Sequence, residues 1–136
     1  MADIRHKLTI KAAPAEVYHA ITTQEGLSHW WCRNTVAKTE TGFVNRFSFG
    51  KFVIEMKIMQ LAPTQKVVWE CLAATEEWIG TKVTFDLEDK DGNTVLRFGH
   101  TGWETQTDLF AVCSFDWAMF LRSLKLLCET GEGEPQ

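Results

Sequence analysis

Between Val36 and Thr101 apolar and polar residues alternate with a period of two almost without a break. Val83, Phe85 and Leu87 oppose Lys82, Thr84, Asp86 and Glu88, and Leu96, Phe98 and His100 oppose Arg97 and Thr101. Val67, Trp69 and Cys71 oppose Lys66 and Glu70, and Phe52, Ile54, Met56 and Ile58 oppose Glu55 and Lys57. Phe43, Phe47 and Phe49 share one side with Asn45. Alternation of this kind marks half-buried strands. Each run ends at turn residues: Gly42, Gly50, Pro63-Thr64, Gly80 and Asp91-Gly92. Asp-Gly between two alternating runs predicts a tight hairpin, and short connections make successive strands antiparallel. The pattern predicts a meander with one wet face and one apolar face.

The two ends of the chain supply what covers the apolar face. Residues 4–10 alternate and read as a first strand. Pro14 suits the first turn of a helix, Glu16 favours its positive end, and Val17, Ala20 and Ile21 follow at helical spacing. A second short helix is expected from Gln24 to about Trp30. The last long segment, Thr105 to Cys128, predicts a helix of roughly 36 Å. Its start has a loose capping box, Thr105 with Asp108, and Gly131 lies just past its end. Phe110, Cys113, Trp117, Phe120, Leu121, Leu124 and Cys128 fall in one arc of about 100°, the width of a core-facing stripe. The predicted fold is therefore α+β. A curved antiparallel sheet of about six to seven strands wraps around a long C-terminal helix, with two short helices after the first strand. One domain spans residues 1–136, with a frayed tail from Thr130 to Gln136.

Composition adds three restrictions. Six Trp and nine Phe among 136 residues are a heavy aromatic load, enough apolar surface for one sizeable core, and by pattern alone each ring reads as core filling. A net charge of −4 with scattered Lys and Arg argues against nucleic acid and anionic membranes as partners. The four cysteines, Cys32, Cys71, Cys113 and Cys128, lack CxxC spacing, so neither a metal site nor a disulfide scaffold is expected. The N-terminal residues Met1–Lys7 contain no apolar signal region, no stretch is long enough to span a membrane, and free thiols suit a reducing compartment. A cytoplasmic location is expected. Phosphate-cradling, HExxH and GxSxG motifs are missing, and no cofactor is expected.

Three stretches carry a family resemblance. "IKAAPAEVYHAITTQEGLSHWW" resembles a strand followed by an Ala-Pro helix start and a paired Trp. His100-Thr101-Gly102-Trp103 resembles an "H.GW" motif at the end of the last strand. "WAMFLRSLKLLCETGEG", Trp117 to Gly133, resembles the closing helix. In this order they are similar to the START-like (SRPBCC, helix-grip) superfamily, in the branch resembling the C-terminal domain of the heat-shock-protein-90 ATPase activator. The resemblance implies the helix-grip fold and a cavity between sheet and long helix. It implies no single reaction, because the architecture hosts binding proteins, cyclases and co-chaperone domains. The eukaryotic co-chaperone carries a separate N-terminal docking domain, which this chain is expected to lack.

The expected function is binding of a small apolar molecule in that cavity, in a stress-related setting. The alternatives are a cyclase- or hydrolase-type enzyme using His100 and a chaperone-associated interaction module. Candidate lining residues are Trp30, Trp31, Asn45, Phe47, Met56, Trp69, Phe85, Phe98, His100, Trp103, Trp117 and Phe120. His100, Asn45 or a Trp indole N–H would orient a ligand, with His100 read alternatively as a structural histidine that ties the strand end to the final helix, and no catalytic set is expected. Trp78, between two strands, is read either as a lid or partner contact or as a ring folded back on the sheet. Val112, Phe115, Met119 and Leu126 form a second apolar line on the final helix, away from its core arc. That line predicts a homodimer contact or partner surface.

Overall fold

The computed structural model describes all residues, 1–136. The elements run β1 (Ala2–Ile10), α1 (Pro14–Thr22), α2 (Gln24–Trp30), β2 (Asn34–Val36), β3 (Val44–Phe49), β4 (Phe52–Ala62), β5 (Lys66–Ala73), β6 (Lys82–Lys90), β7 (Asn93–Trp103) and α3 (Asp108–Thr130). A single 3-10 turn, Glu76–Trp78, lies between β5 and β6. The seven strands form one antiparallel sheet in the order β1-β7-β6-β5-β4-β3-β2. Strands β2 to β7 are a meander, and β1 returns to pair with β7, joining the two ends of the sequence. This is the antiparallel meander that the alternation predicts, in the helix-grip arrangement that the resemblance implies.

Local chemistry accounts for the boundaries. Pro14 opens α1, and Thr23 caps α2 by accepting from Gly26 N at 3.0 Å. At the β6–β7 hairpin Asp91 and Gly92 both have positive φ, 55° and 88°, the backbone that an Asp-Gly turn favours. The cap of α3 is Thr107, whose hydroxyl accepts from Phe110 N at 3.2 Å, two residues later than the Thr105 cap expected from sequence. Gly131 closes α3 in the left-handed region. Register shifts in β4, at Glu55/Met56 and Ile58/Gln60, and in β1, at Ala2/Ile4, curve the sheet as bulges do.

The concave face and α3 enclose one core. Cys113, Trp117, Leu121 and Leu124 bury the predicted arc of α3, with Phe110, Phe120 and Cys128 half-buried at its margins. After α3 the chain has no regular structure, yet hydrogen bonds tie it down. Glu134 N donates to Ser123 Oγ (2.7 Å), Gln136 N donates to the Trp31 carbonyl (2.8 Å), and Arg33 N donates to the Gln136 carbonyl (3.0 Å). No helix is long and apolar enough to cross a membrane.

Candidate functional site

The interior between sheet and helix is filled by rings, with Trp31 at its centre. This side chain, fully buried just after α2, lies within 4.3 to 6.1 Å of Trp30, Phe47, Phe49, Trp69, Trp117 and Phe120, ring centre to ring centre. Phe85 packs edge-on against Trp69 and Phe98, and Phe98 lies 4.6 Å from Trp117. Aromatic pairs at these separations stabilise beyond the area they bury.

What remains open is a cleft of about 220 Å³ at one end of this stack. The β3–β4 hairpin contributes Phe49, Phe52 and Ile54, and the loop after β5 contributes Thr75 and Trp78. Cys113, Asp116, Trp117 and Phe120 of α3 form the facing wall, and Trp31 lies at the inner end. Eight of these ten residues are hydrophobic. Two other hollows, about 290 and 490 Å³, lie around the C-terminal end of α3 and the tail, but only three and none of their lining residues are hydrophobic. The apolar cleft is the one whose chemistry suits a binding site.

Three residues selected from sequence wall the cleft: Trp31, Trp117 and Phe120. The other nine, Trp30, Asn45, Phe47, Met56, Trp69, Phe85, Phe98, His100 and Trp103, are buried and do not line it. Trp30 instead fastens α2 to α1 through Nε1–H to the Ala20 carbonyl, 2.8 Å. Asn45 accepts from Lys38 N at 3.3 Å. The cleft also takes residues that alternation assigns to the core or leaves undecided. Phe52 is 43% exposed at the strand start rather than inward. Trp78 folds back, stacked at 6.1 Å on Trp117. Cys113 and Asp116 project from the same turns of α3 as Trp117, a signal present in the helical spacing.

His100 stands behind the cleft with both nitrogens committed. Trp117 Nε1–H donates to Nδ1 at 3.0 Å, so the proton of the neutral ring sits on Nε2, 2.8 Å from Thr81 Oγ1. Thr81 in turn donates to the Trp78 carbonyl. Burial pushes the His100 pKa down to about 3, so this chain of bonds is held by a neutral imidazole. It joins β7, α3 and the Trp78 turn.

Several buried donors lack acceptors. Trp31 Nε1, Trp78 Nε1 and Thr75 Oγ1, all on residues that wall the cleft, have no hydrogen-bond partner and are sealed from water, as are Trp103 Nε1 and Asn45 Nδ2. The Cys113 thiol lies near enough to Trp78 for its indole to favour the ionised sulfur, without a hydrogen bond of ordinary geometry. Burial nevertheless raises the Cys113 pKa, as it raises those of Cys71, to about 11, and Cys128, to about 12. The cleft therefore offers apolar contact and unused donors but no ready nucleophile.

Comparison with known proteins agrees with this architecture. A solution structure of the Aha1 dimer from Colwellia psychrerythraea is 37% identical, with 98% of this chain matched to 100% of that one at a TM-score of 0.90. A Mesorhizobium loti protein shares the fold at 18% identity, TM-score 0.81, over 93% of this chain and 96% of its own. A Bacillus halodurans protein does so at 20% identity and TM-score 0.78, over 95% and 98%. No curated protein matches. The family model described as "Activator of Hsp90 ATPase homolog 1-like protein" matches residues 11–129, and with the fold and the relative from Colwellia this shows that the chain belongs to that family.

Proposed function

We propose that this protein is a binding domain whose cleft takes a small, flat, apolar molecule. The supporting observation is the wall itself: Trp31, Phe49, Phe52, Trp78, Trp117 and Phe120 around about 220 Å³. An apolar void of about 150 Å³ holds benzene, whereas drug-sized ligands occupy about 300 Å³ or more. The cleft thus suits one or two rings. Asp116, the one charged residue in the wall, disfavours anions. A ligand with a carbonyl or ether oxygen that displaced a Trp ring slightly would give an unpaired indole N–H its acceptor, an exchange that relieves an unsatisfied donor. The cyclase or hydrolase alternative needs two polar groups converging on one point. His100, its intended base, already spends both nitrogens inside the core.

Native mass spectrometry of freshly purified protein tests this reading, together with a titration of 2-acetylnaphthalene followed by Trp fluorescence. The expected outcome is a retained small mass or a saturable 1:1 change that weakens in Phe120→Ala. Absence of both overturns the reading.

A second reading stands beside it. Val112, Phe115 and Met119 are 54%, 66% and 47% exposed along one line of α3, while Leu126 is half-buried. The relative from Colwellia is described as a dimer. These observations support a homodimer of this chain through the exposed part of that line. Light scattering coupled to gel filtration checks it: a strict monomer at high concentration removes it.

A further inference from the structure

Ridge and cleft lie side by side on α3. At 3.6 residues per turn, Val112, Asp116 and Phe120 step around the helix by about 40° each, leading from the exposed line directly into the cleft wall. Phe52 and Ile79, 43% and 55% exposed, add apolar surface, Phe52 in the wall itself and Ile79 beside Trp78. Five of the nine large apolar side chains exposed on this protein are therefore on or next to cleft elements. Resting on the dimer and binding readings above, we propose that a second copy of this chain seats its Val112–Phe115–Met119 ridge in the cleft, so that self-association and small-molecule binding exclude one another.

The geometry that favours a second copy over another partner is self-complementarity. A two-fold interface presents the same patch twice, so that where one part meets a second, the second meets the first on the other side of the axis. A convex apolar ridge next to a concave apolar groove of ring size meets that requirement. Aromatic anchors filling pockets are also where interface energy concentrates. Asp116 is the only charged residue in the groove wall, which matches an apolar interface centre. In the monomer the groove is free for a small molecule. In the dimer its occupant is the partner's ridge.

The test uses Nile red, an uncharged apolar dye, with sedimentation velocity on the full chain. Wild type, Phe115→Glu and, as control, Leu72→Glu are compared, Leu72 being 42% exposed on β5 and not among the residues that wall the cleft. In wild type and the control, dye affinity per chain should fall by about tenfold or more as the dimer forms, and saturating dye should weaken dimerisation by the square of that factor, since each dimer holds two clefts. Phe115→Glu should stay monomeric and keep the dilute-protein dye affinity at every concentration. Met119→Glu should repeat that behaviour, which guards against a folding defect in one variant. A Phe115→Glu protein that still dimerises overturns the proposal, as does wild type that stays monomeric throughout. Equal dye binding by monomer and dimer overturns the exclusion alone and leaves the binding reading standing. No dye binding in any form removes both.

Discussion

The two halves of α3 carry similar helical periodicity and meet different fates. From Asp108 to Phe120 the helix faces the aromatic stack on one side, and its outer side, Val112, Phe115 and Met119, stays bare. From Leu121 to Thr130 other parts of the chain close over it. Ser123 Oγ donates to the Trp30 carbonyl (2.7 Å) and accepts from Glu134 N, Lys125 Nζ reaches the Thr9 carbonyl (2.6 Å), and Arg122 pairs with Glu134 at 2.7 Å. Leu126, on the same line as the exposed trio, is half-buried there. An apolar line on a helix thus says that something covers it, and the fold decides whether that cover is the same chain.

The sharpest way to break the contrast is to remove the ring behind the exposed half. Trp31→Ala deletes a side chain in contact with six others, and should destabilise by about 3–5 kcal/mol in urea unfolding. The void would join the cleft, so added indole should restore part of the lost Tm. A loss under about 1 kcal/mol would mean that the stack collapses around the gap, and the filled interior would not be what fixes α3.

Much of this contrast is legible in the sequence, but unevenly. Val83-Phe85-Leu87 alternates cleanly in β6, and Leu96-Phe98-His100 of β7 is buried as expected, although β7 also buries Thr94 and Val95 near its start. The cleft is less legible. Periodicity separates inside from outside, but it cannot separate a side chain that fills space from one that borders space. Phe47 and Phe49 share one side of the same run, yet Phe49 reaches the cleft and Phe47 does not. Phe52 escapes alternation because it sits at a strand start beside a turn, in a strand bent by two bulges. Trp78 reaches the cleft through a 3-10 turn, which has no period to read. The start of α3 is ambiguous for a simpler reason: Thr105 and Thr107 are both competent caps.

Acid should act through the exposed half first. His100, bonded to Trp117, has a folded-state pKa of about 3 against an ordinary 6.5. Above pH 6.5 the ring is neutral folded or unfolded, and its contribution is complete. Between 6.5 and 3 the unfolded chain takes up a proton that the folded chain refuses. Stability should then fall by about 1.4 kcal/mol per pH unit from this group. His100→Gln lacks the titration, so the difference in unfolding free energy between wild type and variant should be flat above pH 6.5 and slope below it. A difference independent of pH from 7 to 5 would contradict the buried neutral ring.

The covered half has its own weak point. A Cβ on Gly133 would lie 2.5 Å from the His29 carbonyl oxygen and 3.1 Å from Ser123 O and Oγ. Backbone on one side leaves no room to yield, so Gly133→Ala should lift the tail off α3 at a cost of about 1–3 kcal/mol. Hydrogen exchange should show faster exchange at Glu134 N and Gln136 N, whose acceptors are Ser123 and Trp31. Unchanged protection would mean that the tail yields around the added methyl and keeps its cover on α3, and Gly133 would not be the weak point.

The smallest effect is also the most discriminating. Phe115→Ser removes a side chain that is 66% exposed and lies outside the core of the isolated chain, so monomer stability should change by no more than about 0.5 kcal/mol. Dilute protein, where any dimer has dissociated, is the place to measure it. At high concentration the same substitution should lower Tm relative to wild type, because whatever binds only the folded state adds stability by mass action and the variant forfeits that addition. A dilute-state loss of 2 kcal/mol or more, against the ceiling of about 0.5 kcal/mol for an exposed site, would place Phe115 in the chain's own core and leave the ridge without a role. A concentration-independent Tm in both proteins would leave the outer side of α3 bare in solution as well.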